Sequence, residues 1–70
     1  MVMKLRIELL MKQIREEKNI SLRELAKRTN ISDSHLSSIE RQEKEPGFYK
    51  MVIIAQTLGV TTEDLYKIRN

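Results

Sequence analysis

Cysteine and tryptophan are absent from the 70 residues, and proline, histidine and phenylalanine each occur once. Without cysteine there is no disulfide framework and no thiolate zinc cluster. The lone His35 has no second ligand at suitable spacing, so neither a metal nor another cofactor is expected. Acid pairs and glycine-rich phosphate loops are also missing, which argues against an enzyme. No signal-peptide pattern is evident, and the longest apolar run, Met51 to Ala55, is far below the roughly 20 residues that cross a bilayer. A soluble, cytoplasmic chain is expected. Its length sits near the lower limit for one apolar core, predicting a single domain over residues 1–70 without a separate sensing or catalytic unit.

Charge is present and unevenly placed. The formal net charge is +3. Residues 1–30 hold eight Lys/Arg against four Asp/Glu, whereas residues 31–70 hold five against six. A polyanion would therefore be attracted mainly by the first part of the chain, leaving the later part to discriminate rather than attract.

Apolar spacing points to helices. Ile7, Leu10, Met11 and Ile14 recur at i, i+3, i+4 and i+7, which predicts a first helix over about residues 4–18. Leu22, Leu25, Ala26 and Thr29 repeat that spacing, as do Phe48, Met51, Val52 and Ala55, with Leu58 one turn on. Leu36 and Ile39 anchor a shorter third helix, and Leu65 with Ile68 a terminal fifth. No segment sustains period-two alternation, so strands are not expected. The predicted fold class is all-α, with five helices joined by short turns.

Three helix starts share a local pattern: a branched apolar residue, a hydroxyl residue, and an apolar residue four positions later. Ile20-Ser21 leads to Leu25, Ile31-Ser32 to Leu36, and Val60-Thr61 to Leu65. Each hydroxyl can accept a free first-turn N–H while the apolar pair staples the entering chain. Glu24 and Asp64 can complete capping boxes, Gly59 suits a left-handed stop, and Gly47 after Pro46 can open the fourth helix.

Between the second and third helices only Thr29-Asn30-Ile31 remains, with Asn30 suited to a left-handed turn. That is helix-turn-helix spacing, over about residues 21–42. With Leu36 and Ile39 inward, Ser34, Ser37, Ser38 and Arg41 share the outer face. Their short hydroxyls let the helix approach base edges closely, Arg41 can reach guanine or phosphate, and Asp33 can accept from a cytosine amino group.

The run I-S-L-R-E-L-A-K-R-T-N-I-S-D-S-H-L-S-S-I-E-R over residues 20–41, followed by Pro46 and by L-G-V-T-T-E-D-L over 58–65, resembles the Xre family of lambda repressor and Cro-like domains. Within it, the L-S-S-I-E-R run is similar to that of biofilm-type repressor DNA-binding domains. The likeness covers roughly residues 7–68 and implies a five-helix lambda-repressor-like domain. It also implies sequence-specific binding of double-stranded DNA by a small transcriptional regulator, a repressor acting by operator occupancy. Carried over position by position, it places Ser32, Asp33, Ser34 and Ser38 at bases, with Ser37 beside them on the outer face. DNA backbone contacts fall at Ser21, Leu22, Arg23, Lys27, His35, Arg41 and Lys44. Arg15 and Glu40 match an ion pair that braces the recognition helix without reading bases. Relatives often carry Gln where this chain has Leu22, and the loop after Arg41 holds two acids, Glu43 and Glu45; both departures predict a weaker grip.

Apolar residues outside these faces form two further groups. Tyr49 and Ile53 on the fourth helix, with Tyr66 and Ile68 at the end, are the candidate surface of a homodimer on a palindromic site. Val2, Leu5 and Leu9, opposite the main stripe of the first helix, are scattered exposed residues or a surface for a protein partner. The second outcome would fit an antitoxin or another partner-dependent component.

Overall fold

The computed structural model describes residues 6–69. In chain order these form strand β1 (Arg6–Leu9), helices α1 (Met11–Glu17), α2 (Leu22–Thr29), α3 (Asp33–Glu40) and α4 (Phe48–Leu58), a 3₁₀ turn over Thr62–Leu65, and strand β2 (Tyr66–Arg69). The all-α, five-helix expectation is corrected: four α-helices carry a two-stranded antiparallel sheet, in which Ile7 faces Ile68 and Leu9 faces Tyr66.

Both strands alternate polar and apolar residues over four positions, too briefly to register as sustained alternation. Pairing them puts Ile7, Leu9, Tyr66 and Ile68 on one face and Arg6, Glu8, Lys67 and Arg69 on the other. Leu10 takes φ −103° and ψ 6° and starts α1, so the predicted first helix loses its opening turns. The predicted fifth helix stops at Leu65 because Tyr66 turns extended, at φ −149° and ψ 159°. The Leu10 N–H donates to the Leu65 carbonyl at 2.6 Å, which fixes the phase of the ladder. Residues 6 and 8 therefore bond across to 69 and 67, while the backbone groups of residues 7, 9, 66 and 68 point outward. Val2 and Leu5 lie outside the described residues. Leu9 is a half-buried strand residue packed on the core, so it does not stand on the outer side of a first helix.

The core joins Met11, Leu25, Ala26, Ile31, Leu36, Ile39, Ile54, Ala55, Leu58 and Leu65. In α4 the inward row is Met51, Ile54, Ala55 and Leu58; Phe48, expected inside, is 81% exposed. Phe48 is the first residue of the helix after Gly47, beyond the last turn that reaches the core.

Four left-handed residues shape the connections: Asn19, Asn30, Gln42 and Gly59. After Asn19, Gln42 and Gly59 the next N–H reaches back five residues, from Ile20 to Arg15, Glu43 to Ser38 and Val60 to Ala55, closing each helix with a Schellman-type bond. Ser21, Ser32 and Thr61 accept from the backbone N–H of Glu24, His35 and Asp64. Thr61 and Asp64 form a full capping box, and these bonds hold the Asp64 carboxyl below the usual carboxylate range. Glu24 instead pairs with Arg28 one turn along α2.

Candidate nucleic-acid interface

The turn between α2 and α3 is organised by a buried hydroxyl. Thr29 Oγ1 donates to the Leu25 carbonyl at 2.7 Å and accepts from the Ile31 N–H at 3.3 Å, while Asn30 takes φ 60°. The chain thus changes direction within three residues, and Ile31 drops into the core beside the N-cap Ser32. Helix α3 is then fixed at its inner face by fully buried Leu36 and Ile39.

Its far end is fixed by charge. Arg15 Nε donates to Glu40 Oε2 at 2.7 Å, Nη2 to Oε1 at 3.2 Å, and Nη1 to the Ile20 carbonyl at 2.9 Å. The two side chains are only 10% and 7% exposed, so the guanidinium fork ties α1, the turn before α2 and the end of α3 together. A pair this dry stabilises weakly in net terms but is costly to halve.

The outward side of α3 is polar. Ser32, Asp33 and Ser34 are exposed, Ser37 and Ser38 half-buried. Ser32 Oγ accepts the His35 N–H at 3.2 Å and shares a 3.5 Å hydrogen bond with Ser34 Oγ, leaving one of the two hydroxyl hydrogens to donate outward. Asp33 is 4.0 Å from Arg23, so its carboxylate is shared between the first turn of α3 and a cation of α2. His35 is half-buried, and its Nε2 lies 3.2 Å from the Lys50 Nζ of α4.

The residues placed at the DNA backbone divide. Ser21, Arg23, Lys27 and Lys44 are exposed. Leu22 packs its side chain on the core and leaves only its backbone N–H at the α2 N-terminus. Arg41 is not free: Nε and Nη2 each donate to a Glu43 carboxylate oxygen at 3.0 Å, and Nη1 donates to Ser37 Oγ. This fork raises the Arg41 pKa and lowers that of Glu43, in both cases chiefly through the hydrogen bond. Sequence reasoning saw two acids in this loop but not that one of them clasps Arg41, and it passed over Lys50 and Gln42. Only the spacing of Arg41 and Glu43 could have hinted at the clasp.

Tyr49 stands exposed on α4 and Ile53 is half-buried there; Tyr66 and Ile68 belong to β2, not to a fifth helix. Among the described residues no three His, Asp or Glu side chains gather as a metal site, and no helix is long and apolar enough to cross a membrane.

Two helices joined by a three-residue turn, the second braced from behind and polar in front, define a helix-turn-helix unit. The chain belongs to the helix-turn-helix family, whose profile matches residues 11–65. It is similar to SinR, the master regulator for biofilm formation, solved in complex with DNA: 37% identity, 76% of this chain, 86% of that one, TM-score 0.71. SinR has also been solved in complex with the protein SinI. The clp gene regulator ClgR of Corynebacterium glutamicum is similar at 31% identity, covering 77% of this chain and 57% of that one, TM-score 0.75. An uncharacterised HTH-type transcriptional regulator of Mycobacterium tuberculosis is 38% identical over 52 residues, which cover 74% of this chain. The match covers 37% of that relative, so the chain spans well under half its length. The resemblance to Xre-type and biofilm-type repressor domains stands on these comparisons.

Proposed function

We propose that the chain binds double-stranded DNA sequence-specifically and regulates transcription by occupying its site. The observation that carries this is the exposed Ser32-Asp33-Ser34 turn at the start of α3, presented by a helix locked behind by Leu36, Ile39 and the Arg15–Glu40 fork. With α3 in the major groove, those three residues and Ser38 read base edges, and the short side chains permit close approach. Ser37 reads beside them when Arg41 releases it. The α2 N-terminus, through the Ser21 hydroxyl and the Leu22 N–H, takes a phosphate, with Arg23, Lys27, His35 and Lys44 as further backbone contacts. Arg41 joins them only by exchanging Glu43 for a phosphate.

The unit works as one binding domain in the cytoplasm, needs no cofactor and catalyses nothing. Two copies act together on an inverted repeat with half-sites about 34 Å apart. Tyr49 and Ile53 on α4 are the dimer contacts this reading favours, while Tyr66 and Ile68, expected on a fifth helix, are presented by β2. Selection of bound duplexes from a random pool at about 0.15 M salt tests the reading. An enriched inverted repeat, lost on Ser34→Ala, is expected; recovery of unenriched sequence with purely salt-driven binding would refute sequence-specific recognition.

A further inference from the structure

The two outer edges of the strand pair differ. On β1, the Gln42 carboxamide occupies the outward groups: Nε2 donates to the Ile7 carbonyl at 2.8 Å, and Oε1 accepts the Leu9 N–H at 3.0 Å. Gln42 thus imitates a third strand and closes that edge. On β2, the outward groups of Tyr66 and Ile68 have no such cover among the described residues, and Ile68 is 59% exposed.

The faces flanking the open edge differ in chemistry. On one side Tyr66 and Ile68 line a groove of about 530 Å³, shared with Ile7, Leu9, Pro46 and Met51. On the other side stand Lys67 and Arg69. Arg69 already bonds Glu8 at 2.6 Å, so the polar face of the sheet, with Arg6, keeps a surplus of positive charge. A second copy fits this edge poorly, since antiparallel pairing of two β2 strands about Ile68 sets Lys67 against Arg69 in both directions.

We propose that the open edge of β2 docks an extended segment of a partner protein in which apolar and acidic residues alternate, adding it as a third strand. The ladder supplies main-chain bonds at Tyr66 and Ile68, the partner's apolar side chains stand on the grooved face, and its acids stand beside Lys67 and Arg69. Cationic guarding that keeps copies apart selects for a strand of opposite charge.

The test titrates the isotope-labelled full chain with two acetylated heptapeptides, one alternating Val with Glu and the other Val with Lys. The acidic peptide is expected to shift the Tyr66 and Ile68 amide signals and to bind about tenfold more tightly, as two cross-strand charge pairs imply. Lys67→Glu should bring the two peptides to about equal affinity, because one of the two charge pairs is then reversed. Ile68→Pro deletes an outward donor while sparing the ladder bonds of Lys67 and Arg69, and should abolish binding with circular dichroism intact; if it unfolds the sheet, the charge reversal still decides. Equal binding of both peptides by the natural chain overturns the proposal, as does a preference that Lys67→Glu leaves untouched, or shifts confined to α2 and α3. So does a dimer of the free chain that Ile68→Pro dissolves, which would assign the edge to a second copy.

Discussion

The segment from Ser21 to Glu40 and the pair of strands at residues 6–9 and 66–69 are built by opposite logics. In the first, every instruction is local: a hydroxyl cap, an apolar row at helical spacing, a residue that tolerates the left-handed turn. In the second, neither strand has a reason to exist until it meets the other across some 60 residues, as the Glu8–Arg69 contact shows. A two-stranded sheet has little independent stability, so this one depends on the helices beneath it and on the Leu10–Leu65 bond. The sheet is therefore expected to open before the helical unit does.

Breaking the helical side should cost most. Glu40→Ala strands a buried guanidinium, and denaturant unfolding should report a loss of about 3–5 kcal/mol. Arg15→Met combined with Glu40→Leu should recover stability to within about 1 kcal/mol. If that double variant still binds DNA poorly, the pair serves to aim α3 rather than to hold the fold.

A smaller change sharpens the division of labour around α3. Glu43→Gln unclasps Arg41, and the salt dependence of DNA binding should steepen by about one unit in log–log slope. An unchanged slope would mean that Arg41 never reaches a phosphate.

On the sheet side, Gln42→Gly keeps the left-handed turn but removes both bonds to β1. The expected loss is about 1 kcal/mol, with faster amide exchange at Leu9 and none at Leu36. Equal acceleration at both would show that the strands and helices open as one unit.

The mildest perturbation is acid. Asp64, held low by its bonds to Thr61, has a depressed folded pKa. Its contribution is therefore complete above the ordinary value of about 3.9 and fades as pH falls through the lowered one. Amide exchange at Asp64 and Tyr66 should quicken in that window in the natural chain, whereas Asp64→Asn should remove the dependence.

The same contrast decides what could be read in advance. The α2–turn–α3 unit was legible because Ser21, Asn30, Ser32 and Leu36 act within a few residues of themselves. The strands were not, because Ile7 fits an i, i+3 row with Leu10 as well as it fits alternation with Leu9, and only a distant partner settles the matter. In α4 the unbroken run Met51-Val52-Ile53-Ile54-Ala55 has no stripe, so its inward row depended on where Gly47 let the helix begin. The Lys50–His35 contact and the Gln42 bridge are matters of side-chain reach across a loop, which residue spacing does not encode.

Antiparallel pairing of Arg6 with Arg69 also sets how the molecule answers to tension. A pull applied between those two positions loads the ladder one rung at a time, peeling the strands like a zipper instead of shearing them together. The first thing to yield under load is then the Glu8–Arg69 end of the sheet. Force taken up there is taken up before it reaches α3, so the strand pair acts as a mechanical fuse between the ends of the described chain and the exposed face of that helix.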